Sequence, residues 1–265
     1  MDKLKISIII LVVVVGAFSL YFVGNREIPM LNQNSSGNSN NSNEETVNQQ
    51  GSVSSTSSNL YFTIAANDLP YGDIGSVSIA IDKVQVHSQT NNWITLSQSS
   101  QTFNLSDLVK NYQSLLLAKG LVTSNKYQVF TNTYDEFRLH IAKVTVASPS
   151  GNKTAVLPSN YFDVRITGLP VYSKTSSALQ ISFDVRRSLH QTDKGEFIFA
   201  PTLTVDSRIK ATVQVGKNNV TTVSFGETRA GVNFGMDIDG KIKTDFIVDP
   251  NAKLTLVGGT IQIVK

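Results

Sequence analysis

The sequence contains no cysteine. This absence excludes a disulfide framework, a metal site built on thiolates and a lipid-modified N-terminal cysteine. A chain of 265 residues can nevertheless bury a sizeable core without cross-links. We therefore expect the fold to be stabilised by its apolar core and by hydrogen-bonded backbone ladders.

Charged side chains are also scarce, because Asp, Glu, Lys and Arg make up 16% of the chain, against roughly 25% in typical soluble domains. Asn, Ser, Thr and Gln supply the polar surface instead. The net charge of +3 is small and dispersed, and no basic cluster carries interleaved aromatic residues. A nucleic-acid-binding footprint is therefore excluded, and the composition suits an exported domain.

Signatures of catalysis are missing as well. The sequence has no Gly-x-Ser-x-Gly elbow and no phosphate-binding loop. The three histidines, His87, His140 and His190, are far apart, and their spacing predicts no metal triad. We predict that the protein is not an enzyme and that it has no catalytic residue, cofactor or metal ion.

Several acidic residues are better explained by structure than by metal binding. Asp68 and Asp73 share a loop but provide too few ligands for calcium. The segment from Asp237 to Gly240 resembles the start of a calcium loop, yet it lacks the downstream Glu, and Asp-Gly favours a hairpin turn. Asp184 lies in an apolar strand before two arginines, at 186 and 187, which predicts an ion pair that holds the strand register.

The first long apolar run extends from Ile6 to Val23 and contains no charge. Eighteen helical residues span about 27 Å, close to the ~30 Å hydrocarbon core of a bilayer. We therefore predict that residues 1–24 form a transmembrane helix that makes this a single-pass protein of the cell membrane. Lys3 and Lys5 precede the run, so we expect a cytoplasmic N-terminus and an extracellular bulk of the chain.

The alternative is a signal peptide that is cleaved near Ser19. The tripeptide Ala17-Phe18-Ser19 matches a small-x-small cleavage site. The apolar run continues beyond this site to Val23, which favours the uncleaved anchor. Cleavage would instead release a secreted domain.

Residues 25–58 are rich in Asn and Ser and contain few apolar side chains. Such a segment cannot bury a core, so we predict a disordered stalk that holds the next domain away from the membrane. In an exported protein, Asn-x-Ser/Thr sequons are candidate glycosylation sites. The sequons lie at Asn34, Asn40, Asn104, Asn152 and Asn219.

From residue 59 onward the pattern is mostly that of strands. Val77 to Val86 alternates between apolar and polar residues, with a slip at Asp82-Lys83 that predicts a β-bulge. The segment from Trp93 to Leu96 would complete a hairpin with it. Phe137 to Val146 alternates cleanly, as expected of a half-buried antiparallel strand. We predict a mainly β fold, namely an antiparallel β-sandwich.

One short helix is expected within this sandwich. Ser106 can cap it and Gly120 can end it. Its predicted apolar face consists of Leu108, Val109, Tyr112, Leu115 and Leu116.

The order of the segments carries a resemblance to a known family. It begins at Tyr61 to Ile64, continues through Asn67 to Pro70 and covers about residues 59–205. The later segments are Val77 to His87, Trp93, Asn104 to Leu108, Leu115 to Gly120, Phe137 to Leu139, Val156 to Ser159, Phe183 to Leu189 and Phe197 to Pro201. Together they resemble the domain-of-unknown-function family 4382, whose members are exported or membrane-anchored β-sandwich domains of archaea and bacteria. Asn67 and Leu69 depart from the usual Thr and Ala. The resemblance implies a fold and a location, and it brings no established activity.

Residues 206–265 lie beyond this resemblance and read as short strands with Gly and Asn turns. An independent domain of this size without disulfides would be marginal. We therefore expect a C-terminal β-rich extension that packs on the sandwich in residues 59–205.

Two functions fit these observations. In the first, a membrane-anchored β-sandwich is displayed on the cell surface and binds a glycan, an envelope component or a protein without catalysis. In the second, the chain is a subunit of a self-assembling surface filament, in which residues 60–65 complete a neighbour's sheet after signal cleavage.

Overall fold

The structure is a computed structural model that describes residues 58–88, 91–122 and 130–264. The predicted transmembrane helix in residues 1–24 and residues 25–57 of the predicted stalk lie outside the described residues, as do the sequons at Asn34 and Asn40. The last residue of the predicted stalk, Ser58, is instead buried at the start of a strand. Within the described ranges, none of the helices is both long enough and apolar enough to cross a bilayer.

The described chain is mainly β, as predicted. Its strands are β1 (Ser58–Asn67), β2 (Ser76–Ser88), β3 (Asn91–Ser97), β4 (Gln101–Asn104), β5 (Leu115–Val122), β6 (Phe130–Ser148), β7 (Gly151–Ala155), β8 (Tyr161–Tyr172), β9 (Ser176–Asp184), β10 (Leu189–Gln191), β11 (Phe197–Phe199), β12 (Thr202–Val215), β13 (Thr221–Ser224), β14 (Glu227–Met236), β15 (Ile242–Thr244), β16 (Leu254–Val257) and β17 (Thr260–Ile263). The helices are α1 (Leu105–Asn111), α2 (Val185–Ser188) and a 3-10 turn (Lys217–Asn219).

Two large sheets form a β-sandwich-like fold. The first, which we call the β1 sheet, has the order β15-β14-β12-β9-β1-β5, with β13 also paired to β12. The second, the β6 sheet, has the order β3-β2-β6-β7, with β4 paired to β2 and β8 paired to β6. Phe62 of the β1 sheet and Phe137 of the β6 sheet are both fully buried, and their ring centroids are 5.8 Å apart. One apolar core therefore joins the two sheets.

The prediction of an antiparallel sandwich is wrong for the pairing of β1 with β9. Strand β1 runs parallel to β9 from Asn59↔Ser176 to Asn67↔Asp184, and it is antiparallel only to β5. Parallel neighbours require a crossover connection. Here the connection includes all the strands of the β6 sheet, so β9 returns beside β1 in the same direction.

The predicted hairpin between β2 and β3 is confirmed, since the two strands are antiparallel with Val86 opposite Ile94. The predicted β-bulge is also confirmed, because the register between β2 and β6 shifts between Ile81 and Lys83. The slip leaves Asp82 as the extra residue, next to the β6 side chains.

The predicted helix is longer than the observed one. In the structure the helix comprises only Leu105–Asn111, and its cap is Asn104, whose Oδ1 accepts a hydrogen bond from the backbone amide of Asp107. The segment Leu115–Val122 forms strand β5 rather than helix, because it hydrogen-bonds to the open edge of β1. A Cβ on Gly120 would lie 2.7 Å from Leu96 Cδ2, so close packing against β3 explains the glycine there.

Of the C-terminal strands, β12 to β15 belong to the β1 sheet, whereas β16 and β17 form a separate two-stranded sheet. Strand β12 continues across residues 205 and 206, pairs with β9 on one side and is joined by β14 on the other. The hairpin of β16 and β17 contributes Leu254 and Ile261 to a second small core with Ile198 and Val248.

Replacing Asn104 by Ala should destabilise unglycosylated protein by about 1 kcal/mol, because the helix loses its N-terminal cap. Asn152 is a matched control, since it is also a sequon asparagine but its side chain is exposed on β7. Urea unfolding of Asn104→Ala and Asn152→Ala, made without glycosylation, measures the difference. Equal stabilities would show that the cap contributes nothing.

Candidate functional site

A groove of about 750 Å³ lies at the carboxyl end of β1, and we call it the β1 groove. Its walls come from β1 and the loop after it, from the end of α1, from β9 and from α2. The lining residues are Ala65, Ala66, Asn67, Asp68, Leu69, Leu108, Val109, Tyr112, Gln113, Ser114, Gln180, Ser182 and Arg186.

The groove exists because β1 is longer than its antiparallel partner. Strand β5 begins at Leu115, opposite Ile64, whereas β1 continues to Asn67 with β9 alone beside it. The chain between α1 and β5, Tyr112 to Ser114, bends away instead of extending the ladder. One side of the last β1 residues therefore faces the groove.

The floor of the groove is polar and carries small side chains. Gln180 and Ser182 point outward from β9, and the Gln180 side-chain amide donates to the Ser182 hydroxyl at 3.4 Å. Ala65 lies opposite Ser182 on β1. Small residues at these positions create the depth, and the amide and hydroxyl groups provide hydrogen-bonding capacity.

One wall carries an exposed aromatic ring. Tyr112 is 97% exposed and adopts the left-handed conformation with φ = 50°, which ends α1. Its predicted place on the apolar face of a longer helix is therefore wrong. Beside it, Leu108 and Val109 add apolar surface to the same wall.

The opposite wall is the loop after β1 together with α2. Asp68 is exposed at φ = 54°. The Arg186 guanidinium stacks 5.3 Å from the Tyr71 ring centroid, and its Nε donates to the Leu69 carbonyl at 3.4 Å. This wall presents one acidic and one basic group to the groove.

Asp184 anchors this wall by capping α2. Its carboxylate accepts a hydrogen bond from the Arg187 backbone amide at 3.0 Å and pairs with Arg187 Nε at 3.4 Å. Burial raises the pKa of Asp184, although contacts with Arg187 partly offset this effect. The predicted ion pair is confirmed, but its predicted role is wrong, because both partners belong to one helical turn and do not connect two strands.

A smaller hollow of about 270 Å³ adjoins the groove on the same face and shares Gln180 with it. Asp206 of β12 lies there, opposite Gln180. Burial raises the pKa of Asp206, and its carboxylate forms no hydrogen bond or ion pair with another described residue. A Cβ on Gly231 would lie 2.5 Å from Asp206 Oδ1, so the glycine allows this close approach.

The three histidines occupy separate settings. His87 Nδ1 lies 2.8 Å from Asp135, and His140 Nδ1 lies 2.5 Å from Asp82, both on the outward face of the β6 sheet. His190 is buried on β10, and its Nε2 has no hydrogen-bond partner in the described structure. Burial lowers the pKa of His190, against a smaller opposing effect of a backbone hydrogen bond. No three His, Asp or Glu residues in the described ranges are arranged to hold a metal ion.

On the outward face of the β6 sheet, charged and aromatic side chains contact one another. Arg138 donates two hydrogen bonds of 2.7 Å to Asp163. The same guanidinium lies 4.4 Å from the Trp93 ring centroid and 5.7 Å from that of Tyr161. Since its ions and rings already contact one another, this face is less suited to a ligand than the β1 groove.

The other acidic residues considered as calcium ligands, Asp68, Asp73 and Asp237, lie in three different parts of the fold. Asp73 lines a separate hollow of about 350 Å³, away from Asp68 in the β1 groove. Asp237 accepts bonds from the backbone amides of Asp239 and Lys241 in the turn between β14 and β15, so the predicted hairpin turn is confirmed. Burial alone would raise the pKa of Asp237, but bonds from Lys243 and these amides outweigh it and lower the pKa.

The remaining sequons differ in accessibility. Asn104 is half-buried because its side chain caps α1. Asn152 and Asn219 are exposed, on β7 and in the 3-10 turn.

Three segments of the family resemblance meet at the β1 groove: Asn67 to Pro70, Asn104 to Leu108 and Phe183 to Leu189. The fold and this groove define a β-sandwich-like protein with an open surface cleft that presents both polar and apolar side chains. The model of the family described as "Domain of unknown function (DUF4382)" matches residues 59–201, and the chain belongs to this family. No curated protein and no solved structure matches the chain.

Replacing Asp206 by Asn should stabilise the protein at pH 7, because the raised pKa means that folding disfavours the ionised carboxylate. The gain should shrink as the pH falls through the folded-state pKa. Asp237→Asn should destabilise the protein at pH 7. The pKa of Asp237 is lower in the folded protein than its unfolded value of about 3.9, so the ionised carboxylate stabilises the fold when the pH is above that value.

Urea unfolding of both variants at pH 7 and pH 3 measures these effects. If both variants changed the free energy of unfolding with the same sign at pH 7, the raised pKa of Asp206 and the lowered pKa of Asp237 would be contradicted.

Proposed function

We propose that this protein is a cell-surface binding protein that is anchored by its N-terminal apolar run and captures a glycan in the β1 groove. The observation that carries the proposal is the composition of the groove. It combines an exposed aromatic ring with a floor of amide and hydroxyl groups.

A sugar ring has an apolar C–H face and a rim of hydroxyl groups. The ring of Tyr112, which is 97% exposed, offers an apolar surface for stacking. Gln180, Ser182 and Asn67 supply side-chain donors and acceptors for hydroxyls. A volume of about 750 Å³ lies within the range of roughly 300–1,000 Å³ of small-molecule sites.

The charges in the groove are consistent with a neutral polar ligand. Asp68 and Arg186 carry opposite signs and lie on the same wall. Neither sign dominates, so the groove does not favour an anion or a cation by charge alone. Specificity would then come from hydrogen bonds, which suits a polyhydroxylated ligand better than a charged peptide.

The alternative function, a filament subunit that donates an N-terminal strand, remains a prediction. Strand β1 is buried from Ser58 to Ala66 and is paired within its own chain on both sides. Donation to a neighbour would therefore require β1 to leave both β5 and β9. This requirement makes the surface binding protein the preferred proposal.

Replacing Tyr112 by Asn should weaken glycan binding about fivefold to thirtyfold, because aromatic anchors commonly contribute 1–2 kcal/mol. Asn tolerates the left-handed backbone at this position, so the fold should not suffer. Phe225→Asn is a matched control, since Phe225 is also an exposed aromatic residue with φ = 54°, and it lies outside the groove.

The measurement is a glycan-microarray screen of the full chain in nanodiscs, followed by calorimetry with the strongest ligand. Absence of any ligand on the array, or equal losses in the two variants, would overturn the groove as a glycan site.

The anchoring part of the proposal is tested by the mass and N-terminus of the native protein from its membrane fraction, imaged also by negative-stain electron microscopy. An intact end at Met1 or Asp2 with monodisperse particles is expected. A new N-terminus near Leu20 together with fibres would instead favour the filament subunit.

A further inference from the structure

A second cavity, of about 310 Å³, has walls from both large sheets, and we call it the intersheet cavity. Ile166 and Thr167 of β8 form one side. Leu179, Val205 and Phe234, from three neighbouring strands of the β1 sheet, form the other side and are all buried. Val232 is 38% exposed beside them, so an apolar surface reaches solvent at this edge of the sandwich.

Arg229 is the one charged residue among the described side chains that line the intersheet cavity. Its Nη1 donates to the Gly168 carbonyl at 2.6 Å and to the Thr167 carbonyl at 3.3 Å. These bonds orient the guanidinium but do not neutralise it, and no described carboxylate lies within ion-pair distance. A guanidinium has five N–H donors, so those on Nε and Nη2 are left for a ligand.

We propose that the intersheet cavity binds an acyl chain that carries an anionic head group, with the chain between the sheets and the head group on Arg229. The apolar walls favour a hydrocarbon and disfavour a sugar or a free phosphate. The half-buried cation favours an anion, because charge-assisted hydrogen bonds are stronger in a partly desolvated site. This inference is independent of glycan binding in the β1 groove.

The test uses dodecanoic acid with a photoreactive diazirine near its methyl end, added to the full chain in phosphatidylcholine nanodiscs. After irradiation, mass spectrometry locates the attached label. We expect labelling on peptides that contain Ile166, Val205 or Val232. Unlabelled dodecanoate should displace the probe at a concentration at least about tenfold lower than dodecanol, because only the acid has a charge for Arg229.

Variants separate the charge from the cavity. Arg229→Gln should reduce site-specific labelling at least about tenfold, and Arg229→Lys should retain part of it. Val232→Trp keeps the charge but fills the opening, and it should also abolish labelling. Arg208→Gln is the matched control, since Arg208 also donates from Nη1 to two backbone carbonyls but lines the polar hollow beside Asp206.

Competition identifies the source of the ligand. Displacement by dodecanoate in preference to lysophosphatidylglycerol would indicate a free fatty acid, and the reverse would indicate a phospholipid. The proposal is overturned if dodecanol competes as well as the acid. It is also overturned if Arg229→Gln and Val232→Trp, shown by thermal melting to be folded, label like the parent protein.

Discussion

Strand β1 is paired on both sides along most of its length, parallel to β9 and antiparallel to β5. Nine of its ten residues are buried, and Phe62 on its inner face contacts the opposite sheet through Phe137. Because β9 then pairs with β12, and β12 with β14, the order of the whole β1 sheet depends on this placement. The same strand therefore connects the core, the order of the β1 sheet and the β1 groove.

The surfaces of the two sheets differ in how far their polar groups are satisfied. On the β6 sheet, Arg138 is held by Asp163 and by two aromatic rings, so the charges are neutralised within the face. On the β1 sheet, the Asp206 carboxylate forms no hydrogen bond or ion pair with another described residue, and burial disfavours its charged form. Groups that the fold leaves without partners are available to a ligand, as are the Nε and Nη2 donors of Arg229 at the intersheet cavity.

Period-two patterns predicted many of the strands because they depend only on neighbouring residues. The β-bulge at Asp82 is predictable from the same local pattern, since one extra residue breaks the alternation of apolar and polar side chains. The pattern after Asn104 was misleading, because Leu115 and Leu116 fit a helical face as well as they fit a strand. This segment forms a strand because it pairs with the edge of β1, whose residues lie about fifty positions earlier in the chain. Tyr112, which was predicted to lie on an apolar helix face, is therefore exposed at the wall of the groove.

The sequence by itself determined the mainly β composition, the hairpin turns, the lack of any thiol chemistry and the membership of a family whose model matches residues 59–201. These properties follow from local alternation, turn chemistry and composition. The tertiary structure alone decided the parallel direction of β9, the end of α1 at Tyr112, the convergence of three distant segments on the groove and the position of Arg229 at an apolar cavity. Each of these depends on contacts between residues far apart in the chain, and such contacts leave no periodic signal in the sequence.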